Sequence, residues 1–292
     1  MLITRHYSIA GLIFGIRSEE EIFTVLSHYE SFLAAESEQT QMFMIHVTEK
    51  PMPELECWEH VYNDCADDDM PRVEMYRRGK ELLFRFSPTR EGEVVCVLQC
   101  SENLREGTVY MQKEYSRFAI DNATMLLFAI HAISYSALLF HASVVERDGK
   151  GVLFLGRSGT GKSTHARLWL ETFSDAQLLN DDNPIVREML DGEVRVFGSP
   201  WSGKTPCYKQ ANALAVALVQ LVQAPANNIY PLRMAQAYPY ILASVSGLKI
   251  IEEQMNTLYK VIAKLLEKVP VYKLECLPNS DAAILCAQKC LS

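Results

Sequence analysis

One eight-residue run, Gly156-Arg157-Ser158-Gly159-Thr160-Gly161-Lys162-Ser163, limits what this chain can become more than any other part of it. It satisfies the phosphate-binding pattern G-x-x-x-x-G-K-[ST] at every fixed position. Such a loop works only where a strand ends and a helix begins, and both neighbours fit. Gly151-Val152-Leu153-Phe154-Leu155 is a short apolar run of the kind expected of a strand buried on both faces. Beyond the loop, Ala166, Trp169, Leu170 and Phe173 fall at helical spacing. Strand, loop and helix in that order aim backbone N–H groups and a positive helix end at a phosphate. Lys162 is then placed to reach the β- and γ-phosphates of ATP and Ser163 to ligate Mg2+, with Thr164 at the margin of the same cofactor-binding set.

The strand before the loop has an informative neighbour. Leu138 to Glu146 reads as a strand, and only the turn Asp148-Gly149-Lys150-Gly151 separates it from the loop strand. Two strands joined so tightly must pair antiparallel, unlike the parallel βαβ unit of ordinary phosphate-loop enzymes. This pairing could bring His141 beside the phosphates; a satisfied core histidine is the competing reading. His165, one turn into the helix, is expected to face solvent or pack. Downstream, Gln177 to Leu179 predicts a buried strand ending at Asn180-Asp181-Asp182. Adjacent carboxylates at a strand end point to different sides, so one could hold the metal with Ser163 while the other accepts a proton from an attacking hydroxyl. The bland alternative is an Asp-Asp turn that caps a loop. Gly198 to Lys204 reads as a loop, either a plain surface loop or an acceptor loop with Trp201 as a stacking face and Lys204 as its charge.

The rest of the chain frames these residues. From 1 to 118 the pattern predicts a smaller, mainly antiparallel accessory domain, and from 119 to 292 an α/β catalytic domain. Within the first, Ser8 to Ile16 and Gln41 to Val47 read as strands, and Glu20 to Ala35 as a helix with Ile22, Val25, Leu26, Tyr29 and Leu33 inward. Glu74 to Arg77 and Glu81 to Phe86 form a hairpin about Gly79, and Gly92 to Cys100 and Thr108 to Lys113 give two more strands. The acidic run at Asp64, Asp67, Asp68 and Asp69 reads as a solvated loop, with a metal site as the alternative. After a helix from Phe118 to about Tyr135 and the site region come a hairpin about Asp191-Gly192 and strands at Leu214 to Val222 and Ile229 to Leu232. Helices over part of Ala235 to Val245 and over Ile251 to Lys268, a strand at Val271 to Leu277, and a last helix capped by Asn279-Ser280-Asp281 complete the chain.

Composition excludes several classes. Twenty-eight basic against thirty-six acidic residues leave a net charge of −8, which argues against a nucleic-acid backbone as partner. Eight cysteines without a C-x-x-C pair read as buried thiols of a cytoplasmic protein, with Cys286 and Cys290 packing on one helical face. No secretory signal is expected, and the uncharged stretch Asn122 to Val145 reads as a buried helix and strand rather than a membrane span.

Taken together, His141, the hairpin turn, the strand 151–155, the glycine loop and Asp181-Asp182 resemble the catalytic domain of the bacterial HPr kinase/phosphorylase family, related in fold to the ATP-dependent phosphoenolpyruvate carboxykinases. The matching motifs lie between about 138 and 187. The resemblance implies a phosphate-loop kinase domain with a mixed sheet. It implies that Lys162 and Ser163 serve nucleotide and magnesium, and that Asp181, Asp182 and His141 serve metal binding and proton transfer. Thr164 stands where that family has an acidic residue, and its Arg-Gly-Leu-Gly-Ile-Ile type segment is not found in place. The chain therefore looks more like the HPr-kinase-related proteins, whose targets are proteins, peptides or small molecules. The expectation is an ATP- and Mg-dependent kinase acting on a serine-type hydroxyl, with self-association compatible. A non-catalytic ATP-binding module and a carboxykinase acting on a small keto acid are the alternatives.

Overall fold

The computed structural model describes residues 1–34, 41–64, 71–203, 205–247 and 251–292, and no side chains at 63 and 64. Expectations placed on Ala35, Cys65, Asp67, Asp68, Asp69 and Lys204, and on the side chain of Asp64, lie outside that description. The chain divides into two compact units, Met1–Phe128 and Ala129–Ser292, a boundary later than the expected 118/119.

The first unit is built on a mixed sheet of eight strands. These are β1 (Leu2–Ile9), β2 (Leu12–Glu19), β3 (Met44–Thr48), β4 (Glu59–Asp64), β5 (Arg72–Arg78), β6 (Glu81–Ser87), β7 (Cys96–Cys100) and β8 (Glu106–Met111). Their spatial order is β1-β2-β3-β8-β7-β6-β5-β4, antiparallel except where β3 lies parallel to β2 and β8. The expected single strand from Ser8 to Ile16 is instead a hairpin, because Ala10 and Gly11 both take positive φ (53° and 73°), as a tight two-residue turn demands. The helix expected over Glu20 to Ala35 is a 3-10 helix, Glu20–Phe32, kinked at Leu26. Three residues per turn replace 3.6, so Phe23, Leu26, Tyr29 and Phe32 go inward at a spacing of three, while Val25 and Leu33 are exposed.

Helix α1 (Ser116–Ala132) carries the chain into the second unit. With its flanking turns, Lys113–Tyr135 is long and apolar enough to cross a membrane by length and composition, yet more than half of its apolar window is buried within the fold. There follow β9 (Ala137–Leu139), β10 (Ala142–Arg147), β11 (Lys150–Leu155), α2 (Lys162–Thr172), β12 (Gln177–Asp182), β13 (Ile185–Glu188) and β14 (Val194–Phe197). The chain ends with β15 (Asn212–Gln223), β16 (Asn228–Pro231), α3 (Met234–Ser244), α4 (Glu252–Lys268), β17 (Val271–Cys276) and α5 (Ser280–Cys290). The expected Asn279 cap is present: its side chain accepts the Ala282 N–H at 3.1 Å. The loop strand β11 pairs antiparallel with β10 and parallel with β15, so this sheet too is mixed.

Both faces of the second sheet are covered, as the apolar run 151–155 requires. Leu153 and Leu155 pack with Ile241 of α3 and Leu258 and Ile262 of α4. Val152 and Phe154 point the other way, to Trp169 of α2 and Ala283, Cys286 and Cys290 of α5. Each fully buried Val, Leu, Ile or Phe among them contributes about 1.5–3 kcal/mol of transfer free energy. Cys286 and Cys290 pack on one face as expected, 3.8 Å apart, whereas Cys57 is exposed.

Two runs of chain carry the site. Ala137 to Val144 and Asn180 to Arg187 oppose each other antiparallel in one register, with Ala137 facing Arg187, Leu139 facing Ile185, Ala142 facing Asp182 and Val144 facing Asn180. Between them the Phe140 N–H donates to the Pro184 carbonyl at 3.0 Å. Register is unbroken, but the strands bend, which corrects the single strand expected over Leu138 to Glu146. One half of the ladder joins each end of the sheet, so the order β12-β10-β11-β15-β14-β13-β9 turns back on itself. The bend has local causes. Pro184 has no N–H to donate, and Asp182 sits at φ 138°, a region occupied without strain only by glycine.

Candidate functional site

The glycine loop leaves the carboxyl end of β11 and turns into α2, whose first residue is Lys162. Gly156 lies at φ 152°, and a Cβ there would meet the Thr160 side chain at 3.0–3.1 Å, so the turn admits no larger residue without displacing Thr160. Thr160 in turn fixes the loop, its hydroxyl donating to the Arg157 carbonyl at 2.7 Å. Arg157, Ser158 and Gly159 face outward, and Gln223 at the end of β15 donates to the Gly159 and Thr160 carbonyls at 3.4 Å.

Lys162 is only 8% exposed. Its ammonium donates to the Gly156 carbonyl at 2.9 Å, to the Arg157 carbonyl at 3.4 Å and to His141 Nε2 at 3.0 Å. Burial lowers its proton affinity below the usual lysine value, while Asp182 and then Asp181 oppose that shift. An ammonium can only donate, so His141 Nε2 is the acceptor, and the ring proton resides on Nδ1. Nδ1 then donates to Asp182 Oδ1 at 2.8 Å. Asp182 Oδ2 accepts from the Asn183 amide at 2.9 Å.

Asp181 faces the other way, as adjacent strand residues must. Its Oδ1 accepts from Ser163 Oγ at 2.9 Å and from the buried Ser143 hydroxyl of β10. Its carbonyl accepts from the Gly203 N–H at 2.6 Å and the Ser202 hydroxyl at 3.1 Å. Beneath it, buried Asn180 donates to Ser199, whose hydroxyl donates to the Asn183 carbonyl at 2.6 Å. The fold thus brings these residues to one end of the loop strand as two hydrogen-bonded chains, Lys162–His141–Asp182 and Ser163–Asp181–Ser143.

The other residues singled out in the sequence lie outside these two chains. Trp201 is 4% exposed, so its ring is packed inside and offers no open stacking face. The loop 198–203 instead braces Asp181 through the backbone of Gly203 and the hydroxyl of Ser202. Thr164 is half-buried in the first turn of α2. His165 packs edge-on against Phe154, with ring centroids 4.7 Å apart, and accepts from Trp169 Nε1 at 3.3 Å. Burial pushes its pKa down from 6.5 to about 4, so it is neutral.

Sequence reasoning missed Ser143, Asn183 and the brace from Ser202 and Gly203. Ser143 had a signal: it stands two residues past His141, on the strand that the short turn pairs with the loop strand. The brace had none, because it depends on pairing between segments distant in sequence.

The donor set fits a hard divalent cation. Ser163 Oγ and Asp181 present oxygens side by side, and among the described residues no group of three or more His, Cys, Asp or Glu gathers into a metal cage. Magnesium is characteristically held by one or two carboxylates, with phosphate and water completing its shell.

A glycine loop between strand and helix, opposed by a serine–aspartate pair and a histidine–aspartate pair, defines the second unit as a mixed α/β domain with its site at the carboxyl end of the loop strand. The chain belongs to the ScmC family: the family model described as SynChlorMet cassette protein ScmC matches residues 108–279, more than half of the chain. Among solved structures, the Hpr(Ser) kinase/phosphatase from Coxiella burnetii is similar over 51% of this chain and 86% of its own, at 13% identity and a TM-score of 0.30. No curated protein sequence matches the chain.

Proposed function

We propose that this chain is an ATP- and Mg-dependent phosphotransferase that moves the γ-phosphoryl group to a serine-type hydroxyl on a protein, peptide or small molecule, using a phosphate-loop domain of the HPr-kinase type. One observation carries the reading. The residues that a kinase needs converge from three separate elements: Lys162 and Ser163 from the loop and α2, Asp181 and Asp182 from β12, and His141 from the bend before β10.

The loop amides and Lys162 hold the phosphates. Ser163 and Asp181 hold the metal, with Ser143 fixing the Asp181 carboxylate. Magnesium, when bound, neutralises charge developing on the transferring phosphoryl oxygens. Asp182, held by His141 and Asn183, accepts the proton of the acceptor hydroxyl as its oxygen attacks phosphorus. Catalysis on this account is positioning plus electrostatics, as expected for phosphoryl transfer.

Labelled ATP with magnesium, incubated with the protein and serine-containing peptides, proteins or free serine, tests the proposal. Label transfer that collapses in Asp181→Asn and Asp182→Asn supports it. ATP binding without turnover, unchanged in both variants, would leave a non-catalytic binding module instead.

A further inference from the structure

Lys162 is not waiting in solvent for a phosphate. Its ammonium has three protons and no acceptor capacity. Each proton has an acceptor within reach: Gly156 O at 2.9 Å, Arg157 O at 3.4 Å and His141 Nε2 at 3.0 Å. Only His141 comes from outside the loop. That ring is itself anchored, by Asp182 at 2.8 Å on its other nitrogen and by its backbone N–H to the Ser244 carbonyl at 2.7 Å. The lysine is therefore tethered to a fixed point at the strand bend.

We infer that His141 latches the phosphate loop. The two carbonyl acceptors belong to the loop itself, and Lys162 cannot give one proton both to His141 and to a phosphate, so a phosphate reaching the ammonium competes with His141, and His141 sets how tightly the loop takes its nucleotide. The inference rests on the reading of the loop as a nucleotide site. His141 acts here through Lys162, as a positioning residue, whatever else it does once released.

Titration of fluorescently labelled ADP without magnesium into the full-length protein and its variants tests the latch, with circular dichroism as the check on folding. His141→Ala binds about threefold to tenfold more tightly than wild type, since the lysine no longer surrenders a hydrogen-bond partner when it turns to the phosphate. His141→Gln, whose amide oxygen can accept from Lys162, returns to wild-type affinity. In the wild-type protein, the Nε2 resonance of His141 shifts on addition of ADP, which reads the latch even if the alanine variant fails to fold. Affinity in folded His141→Ala that equals or falls below wild type, or a wild-type resonance that does not move at saturation, overturns the latch and leaves the nucleotide site standing. ADP affinity unaffected by Lys162→Ala overturns the reading beneath it.

Discussion

At the scale of single residues, the site is held in a conformation that the backbone alone would not choose. Asp182 occupies φ 138°, where a side chain costs about 1–3 kcal/mol, and the carboxylate aimed at His141 sits on that residue. The strain can be measured by comparing two variants that both lack the carboxylate. Asp182→Gly is expected to be about 1–3 kcal/mol more stable to urea than Asp182→Ala, because only glycine relaxes there. Equal midpoints would mean that the backbone moves instead. Ser143 offers a second test. Its hydroxyl donates to Asp181 in the interior, and Ser143→Ala leaves that carboxylate with Ser163 alone. Turnover is expected to fall about tenfold with ADP affinity nearly unchanged, because the lost bond steadies the carboxylate proposed to hold the metal rather than the nucleotide, a cost near 1.4 kcal/mol.

At the scale of elements, helix α2 ties the loop to pH through His165. The buried ring is neutral, with a folded pKa of about 4 below its ordinary 6.5. Its contribution is whole above pH 6.5 and is lost as pH falls through about 4, at up to roughly 1.4 kcal/mol per unit. Urea midpoints from pH 7 to 4 should fall more steeply for wild type than for His165→Gln, which keeps an acceptor for Trp169 but does not titrate. The brace loop makes another prediction. A methyl group on Gly198 would sit 2.1 Å from the Lys209 carbonyl oxygen, so Gly198→Ala should destabilise the protein by about 1–3 kcal/mol and lower turnover through the Asp181 brace. What the sequence made legible here was local. The glycine loop, the short turn that forces β10 against β11, the aspartate pair and the Asn279 cap each announce themselves within a few residues. The bend, the Ser143–Asp181 bond across 38 positions and the burial of Trp201 are decided by pairing between distant segments, which no local pattern encodes. Over the short stretch Glu20–Phe32 an apolar period of three lies so close to 3.6 that pattern alone does not separate a 3-10 helix from an α-helix.

At the scale of the whole molecule, ligand linkage should reach global stability. ADP at one hundred times its dissociation constant is expected to raise the unfolding free energy of the second unit by about 2.7 kcal/mol, and Lys162→Ala to remove that gain; calorimetry with and without nucleotide measures both. The family match, running from 108 to 279, spans all the residues proposed for the reaction. The continuous register from Ala137 to Val144 against Asn180 to Arg187 has a further consequence for what lengths of chain the family can accept. Outside the glycine loop, whose own spacing places Lys162 and Ser163, the connections between the two runs, such as the hairpin turn and the far end of α2, could gain or lose residues without separating His141 from Asp182. A single deletion inside either run would instead slide one edge of the site past the other and turn alternate side chains to the opposite face. Insertions should thus collect at the turn around Asp148 and after α2, and the two eight-residue runs should keep their length wherever the chemistry is kept.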